Sequence, residues 1–184
     1  MTKHGMALAT LFLGLVASAP VPAAPPARGP YEPYAFLIGS WDFGPESGGP
    51  AQGRMLFRWG PGKSYIWFAT SLLADGKELP HFEGLLMWNG DRKDLDMLVA
   101  LELNGAGAQE QGTVSVKPDG TVVREITSIA PTGAKGRFRQ TFQASGPDRI
   151  RTTVMRETAG GWVATFPGSD RLVMTRRKDG AGGA

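Results

Sequence analysis

Few side chains in this sequence are equipped for chemistry, and the most suggestive pair is His81 and Glu83. A histidine and a carboxylate two residues apart share one face of a strand, as an acid/base pair or two of three metal ligands would. The only other histidine is His4, and there is no cysteine. No second ligand of the right kind completes a zinc set, so no metal site is expected. The direction of His81 depends on hairpin register. If 81–88 pairs with 94–103 so that Phe82, Leu86 and Trp88 meet the apolar face of that strand, His81 and Glu83 point to solvent. A slip of one residue sends them inward beside Leu85 and Met87. The first set is the more apolar, which favours the outward arrangement. No phosphate-cradling loop, nucleophile elbow or repeated carboxylate motif is present, and no catalytic residue is assigned.

Two other groupings suggest binding. A loop of Ser145 to Asp148 between 136–144 and 149–157 would pair Phe138 with Met155, Gln140 with Thr153 and Phe142 with Arg151. The opposite face carries Arg137, Arg139 and Arg156, which belong in water. The first face therefore turns inward, where Gln140 and Arg151 would hold a polar head while Phe138 and Phe142 pack an apolar tail. The alternative is a solid interior with Arg151 paired to an acid. In 54–59 and 64–68, Met55, Phe57, Ile66 and Phe68 alternate inward. With a loop at 60–63, Tyr65 and Trp67 face out and Arg58 lies across from Tyr65. That aromatic wall suits a homodimer seam or a partner surface, unless the N-terminal linker folds back over it.

The elements that must position these groups are strands. Short alternating segments recur at roughly 40–44, 53–59, 64–73, 81–88, 94–103, 110–117, 121–129, 136–144, 149–157, 162–166 and 171–177. Turn chemistry separates them, as in Lys117-Pro118-Asp119-Gly120, Asn89-Gly90-Asp91 and Pro167-Gly168-Ser169-Asp170. Leu95, Met97, Val99, Leu101 and Leu103 form one unbroken apolar face. Even spacing and hairpin-length loops predict an all-β meander of about ten strands, and closure into an antiparallel up-and-down barrel hides its edges; a two-sheet sandwich is the alternative, with Greek-key crossings that need longer connections than most of these.

Before the strands comes a different signal. A short region with Lys3 precedes an apolar run from Met6 to Ala19 and then a Pro/Ala-rich segment. This is the order of a secretory signal peptide. Ala17-Ser18-Ala19 is followed by the unfavourable Pro20, so cleavage is expected after Ala23. The expected organisation is a signal over 1–23, a Pro-rich linker over 24–33, the barrel over 34–178 and a disordered tail over 179–184. Without cysteine the product carries neither a lipid-anchor thiol nor a disulfide. Removal of Lys3 leaves 19 basic against 17 acidic residues, too even a balance for nucleic acid to be the expected partner. A periplasmic or secreted protein is expected, with no membrane insertion of the mature chain.

The segment Phe36-Leu37-Ile38-Gly39-Ser40-Trp41, at the head of a meander, resembles the opening of lipocalin-like (calycin-type) β-barrels. It is similar to a group of uncharacterised bacterial secreted proteins that begin with F-L-x-G-x-W. The resemblance implies that Gly39 passes close to the barrel floor and that Trp41 plugs it. Arg176 on the last strand would cover the tryptophan, or Arg177 if the register slips. It also implies a cup for a small, largely apolar ligand. Related haem-binding barrels use a histidine near the C-terminus, which this chain lacks, so no cofactor is expected.

Three functions follow as expectations. A ligand carrier needs an open lumen lined by Met55, Phe57, Phe68, Phe138, Gln140, Phe142 and Arg151. An interaction module needs a filled barrel and the Tyr65/Trp67 wall. An enzyme needs His81 and Glu83 facing one cavity.

Overall fold

A computed structural model describes residues 29–101 and 107–178. The expected signal peptide, the linker residues before Gly29, residues 102–106 (among them Leu103 of the expected strand 94–103) and the tail lie outside the described residues. Eleven strands follow one short 3-10 helix, Glu32–Leu37, and a second 3-10 turn, Pro61–Lys63, bridges two of them. The strands are β1 (Gly39–Pro45), β2 (Gly53–Trp59), β3 (Ile66–Ala74), β4 (Lys77–Asn89), β5 (Asp94–Leu101), β6 (Ala108–Val116), β7 (Val122–Ile129), β8 (Lys135–Gly146), β9 (Arg149–Thr158), β10 (Gly161–Ala164) and β11 (Leu172–Arg176).

The fold is the all-β antiparallel barrel that the turn spacing predicts. Strands β1 to β9 form a meander, and β11 inserts between β9 and β1 to close it. Ten strands make the wall. The eleventh, β10, is extra: the first half of β9 pairs with β11 and its second half with β10. Ser169 fastens the point where these two partners diverge. Its buried hydroxyl donates to the Val154 carbonyl at 2.7 Å and accepts from the Thr165 and Phe166 amides at 2.8 and 3.2 Å.

One end of the barrel is sealed by the 3-10 helix. Pro33 fits there because φ is already suited to a first helical turn. Tyr34 reaches across the floor and donates its hydroxyl to the Val114 carbonyl at 3.1 Å. Burial, with Asp94 nearby, pushes its pKa up to about 12, so it stays a neutral donor. Tyr31, which the sequence reading places in a loose linker, is also packed. Its hydroxyl donates to the Ser64 carbonyl at 2.6 Å and accepts from the Trp88 amide at 2.8 Å, and its ring meets Trp59 edge-on. The chain therefore enters along the floor, with Tyr31 against Trp59 and Trp88.

At the seam between first and last strands, Trp41 lies opposite Arg176. The guanidinium sits 4.1 Å from the indole centroid and donates to the Ile38 carbonyl at 2.9 Å, while the indole N–H donates to the Leu37 carbonyl at 2.8 Å. Gly39 has φ +136°, and a Cβ there would come 2.3 Å from the Arg176 guanidinium. Only glycine lets the arginine close over the ring.

Trp41→Ala is expected to cost about 3–5 kcal/mol of stability through the large cavity it leaves. Arg176→Leu, which keeps bulk but loses the cation–π contact, should cost about 2 kcal/mol. Urea denaturation checks both. Equal stability of Arg176→Leu and wild type would show that the arginine does not hold the seam.

Candidate functional site

Alternation places Met55, Phe57, Phe68, Gln140 and Phe142 inside, with Phe138 half-buried toward the end opposite the floor. Ile66 and Phe68 point inward although the β2–β3 pairing differs from the expected one. The loop is Pro61–Ser64, so Trp59 faces Ile66, and Arg58 faces Trp67 where Tyr65 was anticipated. That is a shift of two residues, which preserves every face. Tyr65 instead lies over Gly60, where a Cβ would meet its ring at 2.5 Å.

The β8–β9 hairpin departs from expectation by one residue. A bulge between Ala144 and Gly146 pairs Phe142 with Thr152 and Gln140 with Val154. Thr152 therefore turns inward. Arg151 swings to the outer surface, where its Nε donates to Glu46 at 2.9 Å. Arg151 is not a lumen residue.

The lumen has a different arginine. Arg124 alternates with Val122 and Ile126 on β7, and its whole side chain is buried at 1% exposure. Its guanidinium stacks 4.6 Å from the Phe68 centroid. One terminal nitrogen donates to Gln140 Oε1 at 2.9 Å, while Nε and the other terminal nitrogen share the Met97 sulfur at 3.2 and 3.0 Å. Gln140 in turn donates to Thr152 Oγ1 at 3.5 Å. Burial draws the arginine pKa down to about 10, partly offset by Glu110, so it remains a cation at neutral pH. Glu110 responds to the same low-dielectric surroundings. Burial holds its carboxyl above the ordinary carboxylate range, against the pull of Arg124. Thr70 Oγ1 is buried on the same inner wall without a hydrogen-bond partner. Arg124 and Glu110 went unassigned in the sequence reading, although a charge alternating with Val122 and Ile126 on one strand face was a visible signal.

Around this network the interior is close-packed. Phe57, Phe68, Phe142, Leu95 and Val114 are each no more than 1% exposed, so no water-sized space borders them. Phe57 lies 5.9 Å from Phe68 and 6.1 Å from Phe142, ring to ring.

Two clefts run along outward-facing rows of the wall. Register aligns Ser40, Leu56, Ala69, Glu83 and Ala100 in one row across five strands. A cleft of about 710 Å³ follows this row and is also lined by Arg54, Ser71, Glu78 and His81, and by Met55, Thr70, Phe82 and Leu101 from the inward-facing set. A second, of about 450 Å³, shares Glu83 and Ala100 and is walled by Trp67, Leu85 and Leu98. Phe82, Leu86 and Trp88 face Leu101, Met97 and Leu95, which is the register that leaves Glu83 outside. His81 sits at the β3–β4 bulge between Thr70 and Ser71, with its ring 5.3 Å from Phe82. Burial lowers its pKa, so the imidazole is neutral at pH 7.

The cleft thus contains a histidine and two glutamates, but their wiring does not build a catalytic relay. Ser71 donates to Glu78 at 2.5 Å, and Arg54 pairs with both Glu78 and Asp42. The Ser71 bond first, then Arg54, hold Glu78 below the ordinary range, which makes it a poor base for Ser71. No group of three metal-ligating side chains occurs among the described residues. A scan of protein-family models finds no match to this chain, and a search of curated proteins finds no similar sequence.

Because Glu110 binds its proton more tightly folded than unfolded, its contribution to stability should be greatest below the ordinary carboxylate pKa and fall as pH rises through the elevated native value. Glu110→Gln removes this slope. The variant should match wild type near pH 4 and exceed it at pH 8 in urea denaturation. Parallel curves at every pH would show that Glu110 ionises as freely in the barrel as in the unfolded chain.

Proposed function

We propose that this protein is a non-catalytic binding module that works through the outside of its barrel wall and pairs there with a second copy of itself. The carrying observation is the placement of space: the centre of the lumen is packed, while two joined clefts cross the outer face of β1–β6. Arg58, Trp67, Leu85 and Leu98 align in one cross-strand row, with Leu98 half exposed and the Arg58 guanidinium 6.0 Å from the Trp67 ring. This row is a ridge. The adjacent row, through Ala69 and Ala100, is a furrow. Met87 adds a further exposed apolar side chain beside the ridge.

A ridge and furrow side by side make a face complementary to itself under a two-fold rotation, as an isologous dimer requires. Apolar side chains make up most of the face, as in such contacts, while Arg58 stands at the head of the ridge and Glu83 lies in the furrow between Ala69 and Ala100. The F-L-x-G-x-W opening and the Trp41–Arg176 plug support a lipocalin-like scaffold for this surface. The apolar N-terminal run supports export, so the dimer would act in the cell envelope or outside the cell.

Sedimentation of the protein across a concentration series tests the reading. Wild type should dimerise, and Trp67→Glu or Leu98→Glu should weaken the dimer by about tenfold or more, since each buries an unpaired charge. Both positions are on the outer wall, so circular dichroism should be unchanged. A wild type that stays monomeric at 100 µM (roughly the weak limit for a specific interface) would sink the reading.

A further inference from the structure

We propose that the free edge of β10 pairs with the same edge of a second copy, as two antiparallel strands related by a two-fold axis at Val163. This contact is separate from the one on the outer wall. It rests on the backbone groups of a single strand and lies across the barrel, since β4 and β9 are five strands apart whichever way the ring is followed.

Closure removes the edges of a sheet, and β10 is the exception in this barrel. It pairs with the second half of β9 and, among the described residues, with no other strand. The strand that would lie on its other side is β1, which ends at Pro45 against Leu172 of β11. Ser169 fixes β10 in place. Its buried hydroxyl accepts from the Thr165 and Phe166 amides just beyond the strand and donates to the Val154 carbonyl of β9.

The bonds that β10 makes to β9 determine which of its backbone groups are left over. In an antiparallel pair, alternate residues exchange bonds with the partner strand and the others point away. The Thr165 amide donates to the Val154 carbonyl at 3.1 Å, and Gly161 closes a two-residue turn opposite Thr158. Gly161, Val163 and Thr165 therefore face β9, while the N–H and C=O groups of Trp162 and Ala164 point to the open side. Two copies satisfy these groups in one symmetric register: Trp162 opposite Ala164, Val163 opposite Val163, Ala164 opposite Trp162. Each Trp162–Ala164 pair exchanges both its bonds. The two Val163 side chains then meet at the position where facing side chains come closest.

The side chains suit this neighbour. Val163 is 37% exposed and Phe166, just beyond the strand, 40%, so apolar surface is left open beside the edge. Trp162 does not obstruct the approach. Its ring centroid lies 4.3 Å from the Arg139 guanidinium on β8, so it leans across β9 and away from the edge. In the paired register it stands next to Ala164 of the second copy, large beside small. Edges that stay single are blunted by charge or proline, and Gly161-Trp162-Val163-Ala164 contains neither. The strand is short, which makes this the weaker of the two contacts. Together the two would join copies into an open chain.

The test uses the full chain carrying Trp67→Glu, which removes the wall contact, in sedimentation at concentrations up to roughly 1 mM, where weak association is read. This variant should dimerise as concentration rises. Adding Ala164→Pro should weaken that dimer by about tenfold or more, since symmetry removes two bonds at once. Proline is tolerated on an edge whose N–H faces solvent, so circular dichroism should be unchanged. Val163→Lys and Val163→Glu, each in the same background, should be monomeric alone and should pair when mixed, because residue 163 faces itself across the axis. The mixing experiment serves if Ala164→Pro does not fold. A Trp67→Glu chain that stays monomeric throughout would overturn the proposal. So would a dimer unmoved by Ala164→Pro, or Val163→Lys and Val163→Glu chains that fail to pair. Failure of the outer-wall reading has a different signature: wild type and Trp67→Glu would then associate alike.

Discussion

Everything in this barrel depends on closure between its first and last strands, and closure is held at the floor by the Arg176 guanidinium over the Trp41 ring. The contact does three jobs through one side chain. It covers the indole at 4.1 Å, ties β11 to the chain entering β1 through the Ile38 carbonyl, and reaches Asp148 in the β8–β9 turn at 3.0 Å. Three segments far apart in sequence thus meet on one planar cation. A lysine, with a compact ammonium, would not span them in this way. The absent side chain of Gly39 is part of the same device, because the arginine occupies the space a Cβ would take.

With the floor closed, the barrel divides its polar chemistry unequally between its two faces. Outside, arginines are paired with acids at the surface, as Arg54 is with Asp42 and Glu78, Arg139 with Glu125, and Arg151 with Glu46. Such exposed pairs contribute little to stability. Inside, one arginine stands among aromatic rings, a thioether and an amide, with a half-buried glutamate held toward its protonated form. A folded chain of this size tolerates such an arrangement only if packing elsewhere carries the cost. The close-packed Phe57, Phe68 and Phe142 cluster beside Arg124 does so. The two clefts described above run along the wall.

Much of this was legible along the chain, and the failures have a common cause. The inner faces of β2, β3 and β5 could be read from alternation, because neighbouring residues in a strand must point opposite ways. The loop between β2 and β3 came out one residue later than anticipated at each end, which moved the pairing by two and left the faces intact. The β8–β9 turn contains a bulge, which moved the pairing by one, so Arg151 and Thr152 exchanged sides. An even error in register is harmless to a site and an odd one is fatal. Nothing in Ala144-Ser145-Gly146 distinguishes the two cases by composition.

What the amino-acid order determined by itself was the class of fold, the strand and turn positions and the apolar identity of most of the inner faces. These follow from local geometry, a period of two and turn residues with fixed or positive φ, whereas the Trp41–Arg176 plug was implied by the resemblance of the six-residue opening to lipocalin-like barrels. Tertiary structure alone decided that Arg151 lies outside, that Tyr31 belongs to the floor, and that Ala69, Glu83 and Ala100 join into a furrow beside Trp67. Each of these depends on register between strands, and register is set by bulges and by closure across the whole ring of strands. No short stretch of chain contains that information, because the partners that fix it are brought together only when the barrel shuts.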